Sequence, residues 1–311
     1  MQLGSALLLL LLSSSCSTGY RVAVVTGATR GIGRGIALAL GQKGYKVYAL
    51  GRSTRSQQTT ERAVAAGLDL TVDSAADAIN AAGGTGVGLA CDCGDDEDIR
   101  RALGEVAEAE RGRLDLLVCS AYTTPPGVLR GSFWTQGVGM WDACNGVGLR
   151  GVFSTCCAAV PMLIEGSRRG GGDGRQPPPL IVLVSSFGGQ SYTFNVAYGV
   201  GKAAVDRLAQ DMAYQLKKHS IAAVSLYPGI VQTEGNLEML EQGTWDAASG
   251  GLDLTSGETP EFSGRAVCAL AELSADELLS KYSVRRQHSA RALHAAQSDR
   301  GERAAPAART A

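Results

Sequence analysis

The stretch RVAVVTGATRGIGRGIALALGQKG, Arg21 to Gly44, decides the fold. Its opening, RVAVVTG, is a short β-branched run that ends at a glycine, the pattern of a parallel strand buried on both faces. GIGRGIALALGQKG then places apolar residues at helical spacing. Between the two lies TGATRGIG, Thr26 to Gly33, with glycines at 27, 31 and 33. A turn of this kind brings backbone close to a pyrophosphate, and the helix that follows offers it unpaired N–H groups and a favourable dipole.

Working outward, the same alternation repeats. KVYALGR is a second strand, VGLACD a third, LDLLVCSA a fourth, PLIVLVSS a fifth and IAAVSLYPG a sixth. The segments between them read as helices: Ala-rich material within Ser53 to Gly88, a polar amphipathic stretch from Asp95 to Arg111, a glycine-interrupted helix from Trp141 to Ile164, and a helix from Tyr198 to His219. GSRRGGGDGRQPPP interrupts this order as a solvated loop. Strands that alternate with helices in this way predict a single α/β domain built on a doubly wound parallel sheet.

The ends of the chain read differently. Residues 1–19 carry an apolar run, Ala6 to Leu12, with no Lys or Arg before it, the first being Arg21. Three readings stand open: an endoplasmic-reticulum leader, a short membrane anchor and a mispredicted start; without the leader the chain would be cytoplasmic. Residues 20–273 form the expected domain. Residues 274–311 are Ala/Arg-rich with few large apolar side chains, so they are expected to be a flexible tail.

Composition narrows the partners. The chain has 311 residues, a formal net charge of −1 and eight cysteines with no CxxC pair. Nothing in that balance suits nucleic acid, and no zinc pattern is present, so the expected partner is a small molecule and the expected cysteines are buried thiols.

About 20 residues past the glycine turn, a carboxylate would mark a ribose 2′-hydroxyl. The chain has VYALGRSTR there, without an acid between Val47 and Gln58. Arg52 is placed to meet a 2′-phosphate and Arg30 adds a second positive charge, which favours NADP(H) over NAD(H). Further along, YGVGK puts Tyr198 and Lys202 four residues apart, on one face of a helix.

In their order along the chain, TGATRGIG, the Cys91–Asp92 pair after the third strand, LDLLVCSA, IVLVSS, YGVGK and YPGIVQT resemble the short-chain dehydrogenase/reductases, across roughly Arg21 to Leu273. The resemblance implies a Rossmann-type sheet and hydride transfer between a nicotinamide and a carbonyl or alcohol. It implies Tyr198 as general acid/base, Lys202 as the group that lowers its pKa and holds the nicotinamide ribose, and a serine that binds the substrate oxygen. Strand-end alignment selects Ser186, while the family's usual interval counted back from Tyr198 lands on Ser185. Thr26, Gly27, Arg30, Gly31, Ile32, Gly33 and Ala121 would surround the diphosphate end, with Arg52 at the ribose and Asp92 beside the adenine. Pro228, Gly229 and Ile230 would form the nicotinamide wall, and Thr233 would bind the carboxamide.

The chain departs from the family at two places. Asn-Asn-Ala-Gly after the fourth strand becomes Cys119, Ser120, Ala121 and Tyr122, and the helix asparagine counted from Trp141 becomes Gly148, with Asn145 one turn earlier. These departures support a second reading, a catalytically weak NADP(H)-binding scaffold or sensor. Leu237, Met239, Leu240 and Trp245, after PGIVQT, imply a lipophilic carbonyl such as a steroid or xenobiotic ketone. A homodimer or homotetramer through the helices of Trp141 and Tyr198 is also implied.

Overall fold

The computed structural model describes residues 19–57, 68–123, 131–169, 177–282 and 288–289. Six parallel strands occupy the places expected of them: β1 Val22–Thr26, β2 Lys46–Gly51, β3 Thr85–Ala90, β4 Leu116–Cys119, β5 Leu180–Val184 and β6 Ala222–Tyr227. They lie in the order β3-β2-β1-β4-β5-β6, with a two-residue β7, His288–Ser289, beside β6. The chain therefore reverses direction of winding between β1 and β4. Side chains of β1, β4, β5 and β6 are buried on both faces, as their continuous apolar runs require. Edge strand β3 is partly exposed along its length.

Helices α1 (Gly31–Gln42), α2 (Val72–Ala81) and α3 (Asp96–Ala109) follow the first three strands. After β4 come α4 (Phe133–Asn145), kinked at Gly137, then a π-helical segment Gly146–Gly151 and α5 (Val152–Arg169), which follow one another without a break. The long α6 (Val196–Leu216) leads to β6, and α7 (Glu234–Glu241), α8 (Trp245–Ser249) and α9 (Pro260–Ala271) complete the succession. One sheet face is covered by α1, α2 and α9 through Ile36, Leu40, Ile79, Val267 and Leu270. The other is covered by α3, α5 and α6 through Ile99, Leu103, Met162, Leu163 and Val205. This is the doubly wound sheet expected from the sequence.

The boundary placed at Leu273 needs correction. Ala275–Tyr282 continues as helix, Leu278 is fully buried, and Leu279 and Tyr282 pack against the same core. Strand β7 then pairs with Leu226 and Tyr227. These few apolar residues are enough to cover the open side of β6. The leader, residues 170–176 of the Gly/Arg/Pro-rich insertion and the remainder of the tail lie outside the described residues. The seven described cysteines are free thiols, all buried except Cys157.

Candidate active site

β1 delivers the chain into the glycine turn at the carboxyl end of the sheet, beside the point where the strand order reverses. Gly27 has φ +68°, and a Cβ there would lie 2.8 Å from Ala121 Cα. A Cβ on Gly33 would meet the Gly27 carbonyl oxygen at 2.2 Å. Only glycine lets backbone pack this closely, so the turn forms a shallow cradle at the start of α1. The Thr26 hydroxyl does not face that cradle. It is buried and accepts hydrogen bonds from the Ser120 and Ala121 N–H groups, at 3.1 and 3.2 Å. Thr26 is thus a brace between β1 and β4, and it ties the first residues after β4 to the turn.

The leading N–H of α1, that of Gly31, donates to Glu234 Oε2 at 2.8 Å. A carboxylate in this position is a stand-in anion, and it shows that the helix end accepts one. Thr233 stands next to it: its hydroxyl caps α7 by accepting from Asn236 N–H, and its methyl lies against Gly31. Around the corner, Arg30 and Arg52 are exposed, and no ion pair among the described residues engages either. Asp92 closes a turn on itself, its Oδ1 accepting from Gly94 N–H at 2.9 Å. The loop after β6 is braced from behind by the buried Glu258, which accepts from Gly229 N–H at 3.0 Å and donates its own N–H to the Ile230 carbonyl. Pro228, Gly229 and Ile230 therefore present a fixed wall.

The reacting side chains gather at the ends of β5 and α6. Asn195 caps α6, its Oδ1 accepting from Tyr198 N–H at 2.8 Å, which fixes the first turn of the helix. Tyr198 and Lys202 rise from that turn on one face. Past β5 the serines diverge. Ser186 Oγ accepts from Gly188 N–H at 3.1 Å and stands on the side of the Tyr198 phenol, whose pKa it pulls downward. Ser185 is buried and turns beneath α6, its hydroxyl donating to the Lys202 carbonyl at 3.2 Å. The geometry brings Ser186, not Ser185, together with Tyr198 and Lys202.

Burial sets the charge states. It pushes the Tyr198 phenol above its usual pKa, against the downward pull of Ser186. Lys202, 8% exposed, is lowered to about 8 by burial, with Asp206 pulling it back upward. Its ammonium donates to the Val184 carbonyl at 3.1 Å and lies 5.8 Å from the centre of the Tyr198 ring. Desolvation is the largest influence on the phenol, and Ser186 is the group that pulls it back down.

Comparison with known proteins decides what these features amount to. Residues 21–243 match the family described as short chain dehydrogenase. Dehydrogenase/reductase SDR family member 1 of Mus musculus is 39% identical over 260 residues, 81% of this chain and 74% of that protein. The chain belongs to the short-chain dehydrogenase/reductase family. Among solved structures, a short chain dehydrogenase from Mycobacterium paratuberculosis bound to NAD superimposes with a TM-score of 0.65 at 26% identity, over 86% of this chain and 95% of the other. A metagenomic short-chain oxidoreductase in complex with NADP gives a TM-score of 0.60 at 25% identity, over 82% and 92%. As a member of this family, the chain is an oxidoreductase of CH–OH or C=O groups that works with a nicotinamide cofactor.

Against that family pattern, the departures acquire a physical form. Gly148 lies in the π-helical segment, and a Cβ there would fall 2.7 Å from Tyr122 Cδ2. The Tyr122 ring, new after β4, fills the space a side chain at 148 would take. Asn145 does not replace the lost asparagine. Its amide donates to the Trp141 and Ala197 carbonyls, at 3.1 and 3.3 Å, and so clamps α4 to α6. Phe194, with φ +62°, stands edge-on to Tyr198 at 5.1 Å. Trp245 is also reassigned: it is 5% exposed and its indole N–H donates to the Leu252 carbonyl, so it holds its own loop together. Leu237 and Leu240 remain exposed on α7.

Sequence reading had no hold on Glu234, Asn195 or Phe194. An Asn three residues before Tyr198 is a recognisable N-cap signal, and an acid directly after Thr233 is visible in the sequence. That the acid reaches back to Gly31 is a contact across 203 positions and has no local signature.

Proposed function

We propose that this chain is an NADP(H)-dependent carbonyl reductase or alcohol dehydrogenase acting on a lipophilic carbonyl, with Ser186, Tyr198 and Lys202 as its catalytic residues. The observation that carries this reading is the convergence of those three side chains beside the glycine cradle, on the side of the sheet where the strand order reverses. Gly27, Gly31, Ile32, Gly33 and Ala121 would hold the diphosphate, Arg30 and Arg52 the 2′-phosphate, and Asp92 would border the adenine. Pro228, Gly229, Ile230 and Thr233 would border the nicotinamide. The cradle fits such a group, since it is closed to every residue but glycine and already accepts a carboxylate.

When bound, the nicotinamide supplies or takes the hydride. The chain's own residues do the rest. Ser186 Oγ donates to the substrate oxygen and aligns it with the phenol. Tyr198 gives the proton to that oxygen in reduction and takes it back in oxidation. Raised by burial, the phenol stays protonated across neutral pH, which suits the reductive direction. Lys202, charged below pH of about 8, favours negative charge on the phenol at the moment the proton leaves. Exposed Leu237 and Leu240 on α7 support a lipophilic substrate.

A second reading, a weakly catalytic NADP(H)-binding protein, draws its support from Tyr122 in front of Gly148. The two readings separate when full-length protein is assayed for NADPH and NADH oxidation against ketones, aldehydes and quinones, with Tyr198→Phe alongside. The proposal expects turnover with NADPH that falls by about 10²- to 10⁴-fold in the variant. NADPH binding without turnover by either protein would favour the second reading.

A further inference from the structure

Lys202 has few partners for a buried ammonium. Its described hydrogen bond is to the Val184 carbonyl at 3.1 Å. The carboxylate one turn along α6, Asp206, is engaged by the Tyr227 hydroxyl of β6 and is not bonded to the lysine. What does face the ammonium is the ring of Tyr122, whose centre lies 5.0 Å from Nζ. That separation is within the range of a cation–π contact, which strengthens when the cation is removed from water. The same ring stands edge-on to the Tyr198 ring, at 6.0 Å and 87°.

Two features hold Tyr122 in that place. The π-helical segment brings Gly148 against the ring, and a side chain at 148 would collide with it, since its Cβ would sit 2.7 Å from Cδ2 and 2.9 Å from Cε2. The Cys144 thiol, at the end of α4, lies beside the Tyr122 phenol and adds to the upward push that burial gives it. The ring is therefore fixed by α4 and the π-segment on one side and presents its π-electrons to the lysine on the other.

We propose that Tyr122 is a positioning residue for catalysis: its ring face holds the Lys202 ammonium beside Tyr198, and Gly148 is small in order to admit it. This rests on the reading of Tyr198 and Lys202 as a catalytic pair. It gives the two departures from the family pattern a single cause, since a tyrosine after β4 and a side chain at 148 exclude each other. The groups that face Lys202 are Asp206 and Tyr198 on α6, Tyr122 after β4 and Cys144 on α4, with Tyr227 acting through Asp206.

The test follows the titration of Lys202 in full-length protein with isotope-labelled lysine, by NMR, with Lys202→Met to assign the signal. Tyr122→Phe keeps the ring face and is expected to leave the midpoint in place. Tyr122→Leu fills similar space without it and is expected to lower the midpoint by about one pH unit. In the same variants kcat is expected to fall about tenfold for leucine and to change little for phenylalanine, with KM for the carbonyl nearly unchanged. If Tyr122→Leu does not fold, Gly148→Ala, which displaces the ring without removing it, is expected to lower the midpoint too. A midpoint unmoved in the folded leucine or alanine variant makes Tyr122 a mere filler and overturns the proposal. Because the midpoint needs no turnover, a wild type that reduces nothing would refute the catalytic reading and still leave this inference decided.

Discussion

Replacing Lys202 by methionine removes a charge that the fold holds out of water at a cost. An ordinary lysine has pKa 10.5, and Lys202 is lowered to about 8 by burial. A gap of about 2.5 pH units, at about 1.4 kcal/mol each, makes the charged form about 3 kcal/mol less stable in the fold than in the unfolded chain. Lys202→Met is therefore expected to be more stable than wild type at pH 7, by up to about 3 kcal/mol, with turnover lost. The pH dependence gives a sharper signature. Since the folded pKa lies below the unfolded one, the unfolded chain binds more protons between pH of about 8 and 10.5, and wild-type stability rises with pH across that window. From pH of about 7 to about 9.5, wild type should gain about 2 kcal/mol on the variant. Urea unfolding of both proteins at the two pH values measures the difference. An equal gap at both would refute the reasoning, because it would mean that Lys202 is not carried as a desolvated charge.

Three other outcomes follow from the site. In the reductive direction kcat/KM should fall above pH of about 8 as Lys202 loses its proton, which a pH-rate profile with saturating NADPH reads directly. Arg52→Ala should weaken NADPH binding about tenfold or more and change NADH binding little, as measured by fluorescence titration of the two cofactors. Glu234→Gln should tighten binding of either dinucleotide about fivefold, because the carboxylate that now bonds Gly31 N–H competes for the same helix end, and the same titration would show it.

The six main strands were legible because each is a short, mostly apolar run bounded by glycine or a polar turn, and the central strands, buried on both faces, leave that signal undiluted. The glycine cradle and the Tyr198–Lys202 pair were legible because their geometry depends on local spacing. The serine was not: Ser185 and Ser186 are neighbours of the same type, and only the turn after β5 sends one toward the phenol and the other under α6. Tyr122 and Gly148 read as two separate losses, since their complementarity exists only where β4 meets the π-helical segment. Leu278 went unseen for the opposite reason: it stands with Leu279 and Tyr282 in a short polar stretch, SADELLSKY, whose few apolar residues the core recruits. Trp245 read as a pocket wall from its hydrophobicity, yet its indole serves the loop that carries it.

The central claim is that a hydride passes from NADPH to a carbonyl carbon with Tyr198 supplying the proton. Full-length protein should be incubated with NADPH deuterated at both C4 positions of the nicotinamide and a set of lipophilic ketones, and the alcohols examined by mass spectrometry. The account predicts one deuterium on the carbinol carbon with wild type and no labelled alcohol above background with Tyr198→Phe. Binding of NADPH with no labelled alcohol from wild type, or equal labelling by the variant, would contradict it.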